Sequence, residues 1–468
     1  MIRAHAGWAV LCLAMLPATD ARAQESGAVD TRASVEQRIQ QLEAQVGGDS
    51  SAEKQSVILR WLADLYASAG RLDDAERAYE QILVFFPGDA ATTNAYAIFL
   101  LEQRHAPERA DSVLHFALSW ANALPEPPPY IGQTYALRAR ALRALGRCDE
   151  AVAPSETALT MLDEDATEEA LRVKAACLAE TGHGDEARAC YLDLIGVTGG
   201  ANPDDISAFV ALLTAATGSV SADTVRREIA AAIEHSRAER RATAEAEGAV
   251  LLEMRADDGA RIEATLRRGS TGRAVLFVPE PGSRRSRYTP YAQLLMLDGA
   301  TTLTVDPRGH GGSRCDSLPD FPQLSETHRG RVADDIATAI RYLRDEEHIP
   351  LDRMAVVAAG AACAHVEQAI HEHALSVAVV YLSPVFDPSD LALAASLSFR
   401  PLQPTLLLAS SEDVYAIQSL GYFIDETHSD QTTTRVFTSA GHGVTLLRDP
   451  ARYLVMSNWL ERALAVGD

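Results

Sequence analysis

Apolar residues recur at helical spacing from about Val35 to Leu213, in a background rich in Ala, Leu, Glu and Arg, which predicts a succession of amphipathic helices. A polar helical run over 221–247 follows. Beyond about Gly248 the pattern changes to short β-rich runs alternating with helical stretches, as in a mainly parallel sheet covered by helices. An opening hairpin is predicted from 250–254 and 261–266 around the turn Asp257-Asp258-Gly259. Later strands are predicted at 274–278, 302–305, 354–357, 377–382, 405–408 and 434–437. Helices fit between them at 288–297, 331–344, 364–373, 417–425 and 450–464.

The helical half repeats itself. Gly70-Arg-Leu-Asp73-Asp74-Ala75, Gly146-Arg-Cys-Asp149-Glu150-Ala151 and Gly182-His-Gly-Asp185-Glu186-Ala187 are one phrase three times. The last two copies stand 36 residues apart and the first two 76, room for a weaker copy carrying Ala97, Leu100, Ala110 and Ala117. Pro125-Glu126-Pro127-Pro128-Pro129 then forms a stiff connector. In the best copy Leu62, Ala63 and Tyr66 fit a first helix, Gly70 the turn, Ala75, Tyr79 and Ile82 a second helix, and Pro87 the stop. This resembles the tetratricopeptide repeat, a pair of antiparallel helices of about 34 residues. The resemblance implies four repeats within 32–217, with a further helix pair around 204–217, stacked into a short solenoid, and a helical cap and linker over 218–247. Solenoids of this kind bind a protein or peptide; a plain helical spacer is the other reading.

The residues at the predicted strand ends carry a second resemblance. Asp306-Pro307-Arg308-Gly309-His310-Gly311-Gly312-Ser313, Leu382-Ser383-Pro384, Glu412-Asp413 and Gly441-His442-Gly443 follow strands in the order and context of the α/β-hydrolase family. Over 248–468 the resemblance implies the α/β-hydrolase fold, with Asp413 on the acid and His442 on the histidine of the triad. The small-residue run Ala358-Ala359-Gly360-Ala361-Ala362 falls on the nucleophile elbow, where Gly360 stands without a hydroxyl.

A serine hydrolase needs a hydroxyl to attack, a histidine to take its proton, and a carboxylate to orient the histidine. Here the acid and base positions are filled and the nucleophile position is not. The loop Val278-Pro279-Glu280-Pro281-Gly282, where an oxyanion donor is expected, contains two prolines without N–H groups and a negative charge. Losing one oxyanion donor costs on the order of 100-fold to 1000-fold, and losing the nucleophile removes most of what remains. The expected function is therefore an interaction scaffold whose hydrolase-like domain is catalytically degenerate, with Asp413 and His442 as remnants. The alternative is an active esterase-like or peptidase-like enzyme with another nucleophile, for which Cys363 is the candidate. A third reading places the whole function in the solenoid. His365, His371 and His373 read as surface residues, and no metal or cofactor is expected.

With 468 residues, 47% hydrophobic and 23% charged, the chain has room for two or three packing units. The net charge of −23 excludes nucleic acid as an expected partner. Arg3, an apolar run from Trp8 to Leu16, and Ala21-Arg22-Ala23 before Gln24 have the layout of a cleavable secretory signal over 1–23, which implies a periplasmic or secreted protein. No other stretch is apolar for long enough to span a membrane. Of six cysteines, Cys12 lies in that run; Cys148, Cys177, Cys190, Cys315 and Cys363 remain. Cys177 and Cys190, on successive predicted helices, are read as buried packing residues or as a bridge. A small-molecule ligand in the hydrolase-like pocket is the further partner considered.

Overall fold

A computed structural model describes residues 36, 39–40, 42–44, 46, 52–124, 131–161, 164–315, 317–387, 390–398, 400, 402–411, 413–438 and 441–465. The signal segment over 1–23, the connector from Pro125 to Pro129, and Glu412 lie outside them. Two units are present, one comprising the chain to Gly196 with Pro203–Ala232, the other Val197–Asn202 with Ile233–Asp468.

The first unit is helical. Helices α1 (Ala52–Ser68) and α2 (Leu72–Phe85), α3 (Ala90–Glu102) and α4 (Pro107–Ala121), α5 (Ile131–Ala144) and α6 (Cys148–Thr160), and α7 (Glu164–Glu180) and α8 (Gly184–Thr198) form four successive pairs. The repeated phrase is the turn within a pair. Gly70, Gly146 and Gly182 all have positive φ, where a side chain would be strained. Each is followed by an N–H reaching five residues back, closing a six-residue turn: Arg71 to the Tyr66 carbonyl (2.8 Å), Arg147 to Leu142 (2.9 Å), His183 to Leu178 (2.8 Å). The acids that follow, Asp73-Asp74, Asp149-Glu150 and Asp185-Glu186, lie in the first turn of the next helix, where its dipole favours negative charge. Ala75, Ala151 and Ala187 are wholly buried, letting the helices approach. In the weaker copy the turn is wider, and His105 takes the positive φ.

Leu62, Ala63, Tyr66, Ala75, Tyr79 and Ile82 are all buried in one core cluster, which continues through Tyr96, Phe99 and Leu100. Stacking of Tyr79 on Tyr96, with ring centroids 5.4 Å apart, carries that core from the first pair into the second. Helix α2 stops at Phe85, and Pro87 cannot donate the next bond. The stretch expected to hold a further pair around 204–217 is instead one helix, α9 (Pro203–Thr217), because Gly218 with its positive φ closes it only there. The polar run after it is a single 25-residue helix, α10 (Ala222–Ala246), within which the division between the units falls.

The second unit is an eight-stranded sheet: β1 (Val250–Arg255), β2 (Arg261–Arg267), β3 (Ala274–Val278), β4 (Thr301–Asp306), β5 (Met354–Ala359), β6 (Ala378–Leu382), β7 (Thr405–Ser410) and β8 (Thr432–Phe437). Its order is β1-β2-β4-β3-β5-β6-β7-β8, with β2 antiparallel to both neighbours and the pairs from β4 through β8 parallel. This is the α/β-hydrolase fold. Helices α11 (Thr289–Leu297), α12 (Val332–Asp345), α13 (Ala362–Glu372), α14 (Leu391–Ser398), α15 (Val414–Thr427) and α16 (Pro450–Ala463) connect or close it; α14 had no counterpart among the expected helices. The inner strands β3 to β7 are buried along their whole length because both faces are covered, which is why they read as continuous apolar runs. Alternate residues Val275 and Phe277, Ala355, Val357 and Ala359, Val380 and Leu382, Leu406 and Leu408 meet Leu295 of α11 and Met456 and Trp459 of α16 in one cluster.

Candidate active site

The chain reverses its direction of sheet growth at β3: β4 is laid on one side of it and β5 on the other. Strand order therefore brings the carboxyl ends of β3 and β5 together, with Val278 opposite Ala358, at the position where open α/β sheets form a crevice. Glu280 follows the first of these ends and Gly360 the second.

Gly360 turns the chain from β5 into α13 with φ +56°, a left-handed conformation that glycine adopts without steric cost. Its N–H donates to the Leu382 carbonyl (3.0 Å), and its own carbonyl accepts from Val385 (3.1 Å), so β6 holds the turn in place. A Cβ at this position would lie 2.8 Å from Glu280 Oε2, 3.3 Å from Glu280 Cβ and 3.5 Å from His442 Nε2. The Glu280 carboxylate thus stands where a nucleophile's side chain would begin.

Asp413 caps α15, its Oδ1 accepting from the Ala416 N–H (3.1 Å), while Oδ2 lies 2.6 Å from His442 Nδ1. His442 sits in the loop after β8, fixed by its N–H donating to Thr445 Oγ1 (3.0 Å) and by Thr445 Oγ1 donating back to its carbonyl (2.6 Å). The second ring nitrogen, Nε2, is 3.4 Å from Glu280 Oε2. The two residues read from the sequence, Asp413 and His442, are brought together. Sequence reasoning recognised Glu280 as a misplaced negative charge but missed it as the second partner of His442. The signal was the acid between two prolines, which hold its backbone at a strand end that three other site loops approach.

This row of carboxylate, imidazole and carboxylate sets the charge of the site. Burial opposes the imidazolium, but the bonds and charges of Asp413 and Glu280 outweigh it and raise the His442 pKa to about 10. For Glu280, burial favours the neutral acid, yet the His442 bond and charge prevail and its pKa is lowered. A general base must accept a proton, which a neutral imidazole does. At neutral pH this histidine is instead the imidazolium, with one N–H toward each of the two anions. Its side chain is 42% exposed, so the row is open to solvent.

The loop after β3 is short of donors. Pro279 and Pro281 have no N–H, and the Gly282 N–H is directed to His310 Nε2 (3.3 Å). His310 Nδ1 in turn faces the Arg308 carbonyl (2.9 Å), which accepts only, so the ring is neutral with its proton on Nδ1. Arg308 is fully buried, its N–H and guanidinium on Asp335 and its far end on Asp258, and Ser313 Oγ donates to the Asp306 carbonyl (2.5 Å). The Asp306-to-Ser313 turn is therefore a scaffold beneath the site.

Cys363, the alternative nucleophile, is wholly buried, and its thiol is pushed well above the ordinary cysteine range by burial, then by Glu367 and Glu280. His365 does not lie on the surface as expected: it is 7% exposed against Phe321, and burial above all lowers its pKa to about 4. The helix places it on the inner face because it follows Ala362 and precedes Val366 and Ala369 in the buried stripe of α13. His371 is exposed, and His373 is part-buried with Nε2 3.0 Å from Asp334 Oδ1. Asp334, Glu372 and His373 place three donor atoms within 4.8 Å of one another, a grouping the spacing of the histidines did not reveal because Asp334 comes from α12.

Among known proteins, a tetratricopeptide-repeat family model matches residues 56–99, the span from α1 through most of α3. No curated protein matches the chain. Similar solved structures include an esterase from Pyrococcus furiosus, at 13% identity and a TM-score of 0.39, covering 46% of this chain and 91% of that one. A dienelactone hydrolase from Anabaena variabilis is 18% identical with a TM-score of 0.35, covering 46% and 97%. An acylaminoacyl peptidase from Pyrococcus horikoshii is 15% identical with a TM-score of 0.38, covering 47% and 42%.

Proposed function

We propose that this chain is an exported interaction protein: its helical repeats hold a protein or peptide partner, and its α/β-hydrolase-fold domain is retained without serine-hydrolase turnover. The observation that carries the reading is the Glu280 carboxylate, lodged beside Gly360 in the nucleophile's place and paired with the histidine that would have been the base. A charged pair there opposes both the generation of a nucleophile and the development of an oxyanion. Partner binding by the repeats is supported by the exposed apolar residues Val84 and Phe85 on α2 and Phe116 and Trp120 on α4, beside a cavity lined by Leu83, Pro87, Val113 and Phe116. Export is supported by the layout of 1–23 and rests on the sequence.

The test compares hydrolysis of short acyl esters by the native chain, His442→Ala and the double variant Gly360→Ser/Glu280→Gly. The native chain and His442→Ala are expected to be equally inert. The double variant, with a hydroxyl restored and the carboxylate removed, is expected to gain turnover. Native hydrolysis that falls on His442→Ala would sink the reading.

A further inference from the structure

The repeat unit holds two thiols that the hydrolase-like site does not use. Cys148 opens α6, and Cys177 lies on α7, three residues before Glu180 and hence on the same side of that helix. Both are buried in one apolar cluster with Ala139, Leu142, Ala151 and Val173. Within it the Cys148 thiol donates to Glu180 Oε2 (3.2 Å), one helical turn beyond Cys177. Cys190, the partner that sequence order offered Cys177, is on α8 and outside this cluster.

We propose that Cys148 and Cys177 are a dithiol that a disulfide oxidant closes into a bridge pinning α6 to α7. A disulfide demands two sulfurs on backbones a few ångströms apart, and the shared cluster of two packed helices, with the Cys148 sulfur on Glu180 one turn beyond Cys177, supplies that proximity. Cys148 is the attacking sulfur, since it is the less buried of the two, 6% exposed against 0% for Cys177, can give its proton to solvent, and stands at the start of a helix, which favours the thiolate. Its thiolate attacks one sulfur of the oxidant, expelling a thiolate and leaving a mixed disulfide. Cys177 gives its proton to solvent, attacks the Cys148 sulfur, and expels the second thiol. Two protein thiols are oxidised, and one oxidant disulfide is reduced to two thiols. Burial raises both protein thiols above the ordinary range, so the bridge closes most readily while α6 and α7 are still packing.

The full chain is refolded in a buffer of oxidised and reduced glutathione, trapped by alkylation and mapped by mass spectrometry. In parallel, the folded reduced chain is titrated with the same buffer. The expected result is a Cys148–Cys177 linked peptide with the loss of two hydrogens, retained in Cys190→Ser and absent from Cys148→Ser. Reduction should lower the melting temperature of the repeat unit by roughly 5 °C. Alkylation of both thiols in folded chain from both arms, or a bridge from Cys177 to Cys190, overturns the proposal.

Discussion

Gly360 shows why a single missing atom is a poor description of this site. Introducing a serine alone drives its Cβ against Glu280, 2.8 Å from Oε2 and 3.3 Å from the less movable Cβ, in a backbone with φ +56°. A strained left-handed side chain costs of order 1–3 kcal/mol. The hydroxyl and the carboxylate compete for one place, which is why the activity test pairs Gly360→Ser with Glu280→Gly. The carboxylates also fix what His442 does with pH. Its folded pKa is raised from 6.5 to about 10, so the stability it contributes is complete below the unfolded value near 6.5 and is given up as pH rises through about 10. An NMR titration of the imidazole should find it charged at pH 8; in Glu280→Gln the midpoint should move down, and in Asp413→Asn further. A midpoint near the ordinary value in the native chain would contradict the paired geometry.

At the scale of elements, the helix pairs were legible because their turns are written in local chemistry. A glycine of positive φ, a six-residue backbone bond and two acids at the next helix start occupy consecutive positions, so the phrase repeats visibly wherever the turn does. Gly146→Ala should therefore destabilise by about 1 kcal/mol from backbone strain alone, because nothing lies within 4 Å of the added Cβ. Denaturant unfolding, read as a lower midpoint at unchanged slope, checks this. The copy at His105 was faint for the same physical reason, since its turn is wider and lacks the glycine. Strands were legible from their apolar runs, but α14 was not. Its sequence, Leu391–Ser398, is only eight residues of Leu, Ala and Ser, too short and too uniformly apolar to give a period to read.

For the whole molecule, the two units carry separate cores, and perturbations should stay within the unit that contains them. Asp335→Ala leaves the fully buried Arg308 guanidinium with Asp258 alone, which should cost up to about 3–5 kcal/mol in the sheet unit. Calorimetry should show that transition falling while the one lowered by Gly146→Ala stays in place; a single transition shifted by both variants would show coupled units. The sequence by itself determined the kinds of element, the order of the repeats and the absence of a hydroxyl at Gly360, because each is encoded in spacing along the chain. It also ordered the acid and base, since Asp413 and His442 follow their strands in series. Only the tertiary structure decided that Glu280 lies against Gly360, that His442 lies between two anions, and that Cys148 rather than Cys190 shares a buried cluster with Cys177. Those contacts depend on which strand ends and helices become neighbours, and the crossover about β3 and the packing of α6 on α7 join residues with no shared period in the sequence.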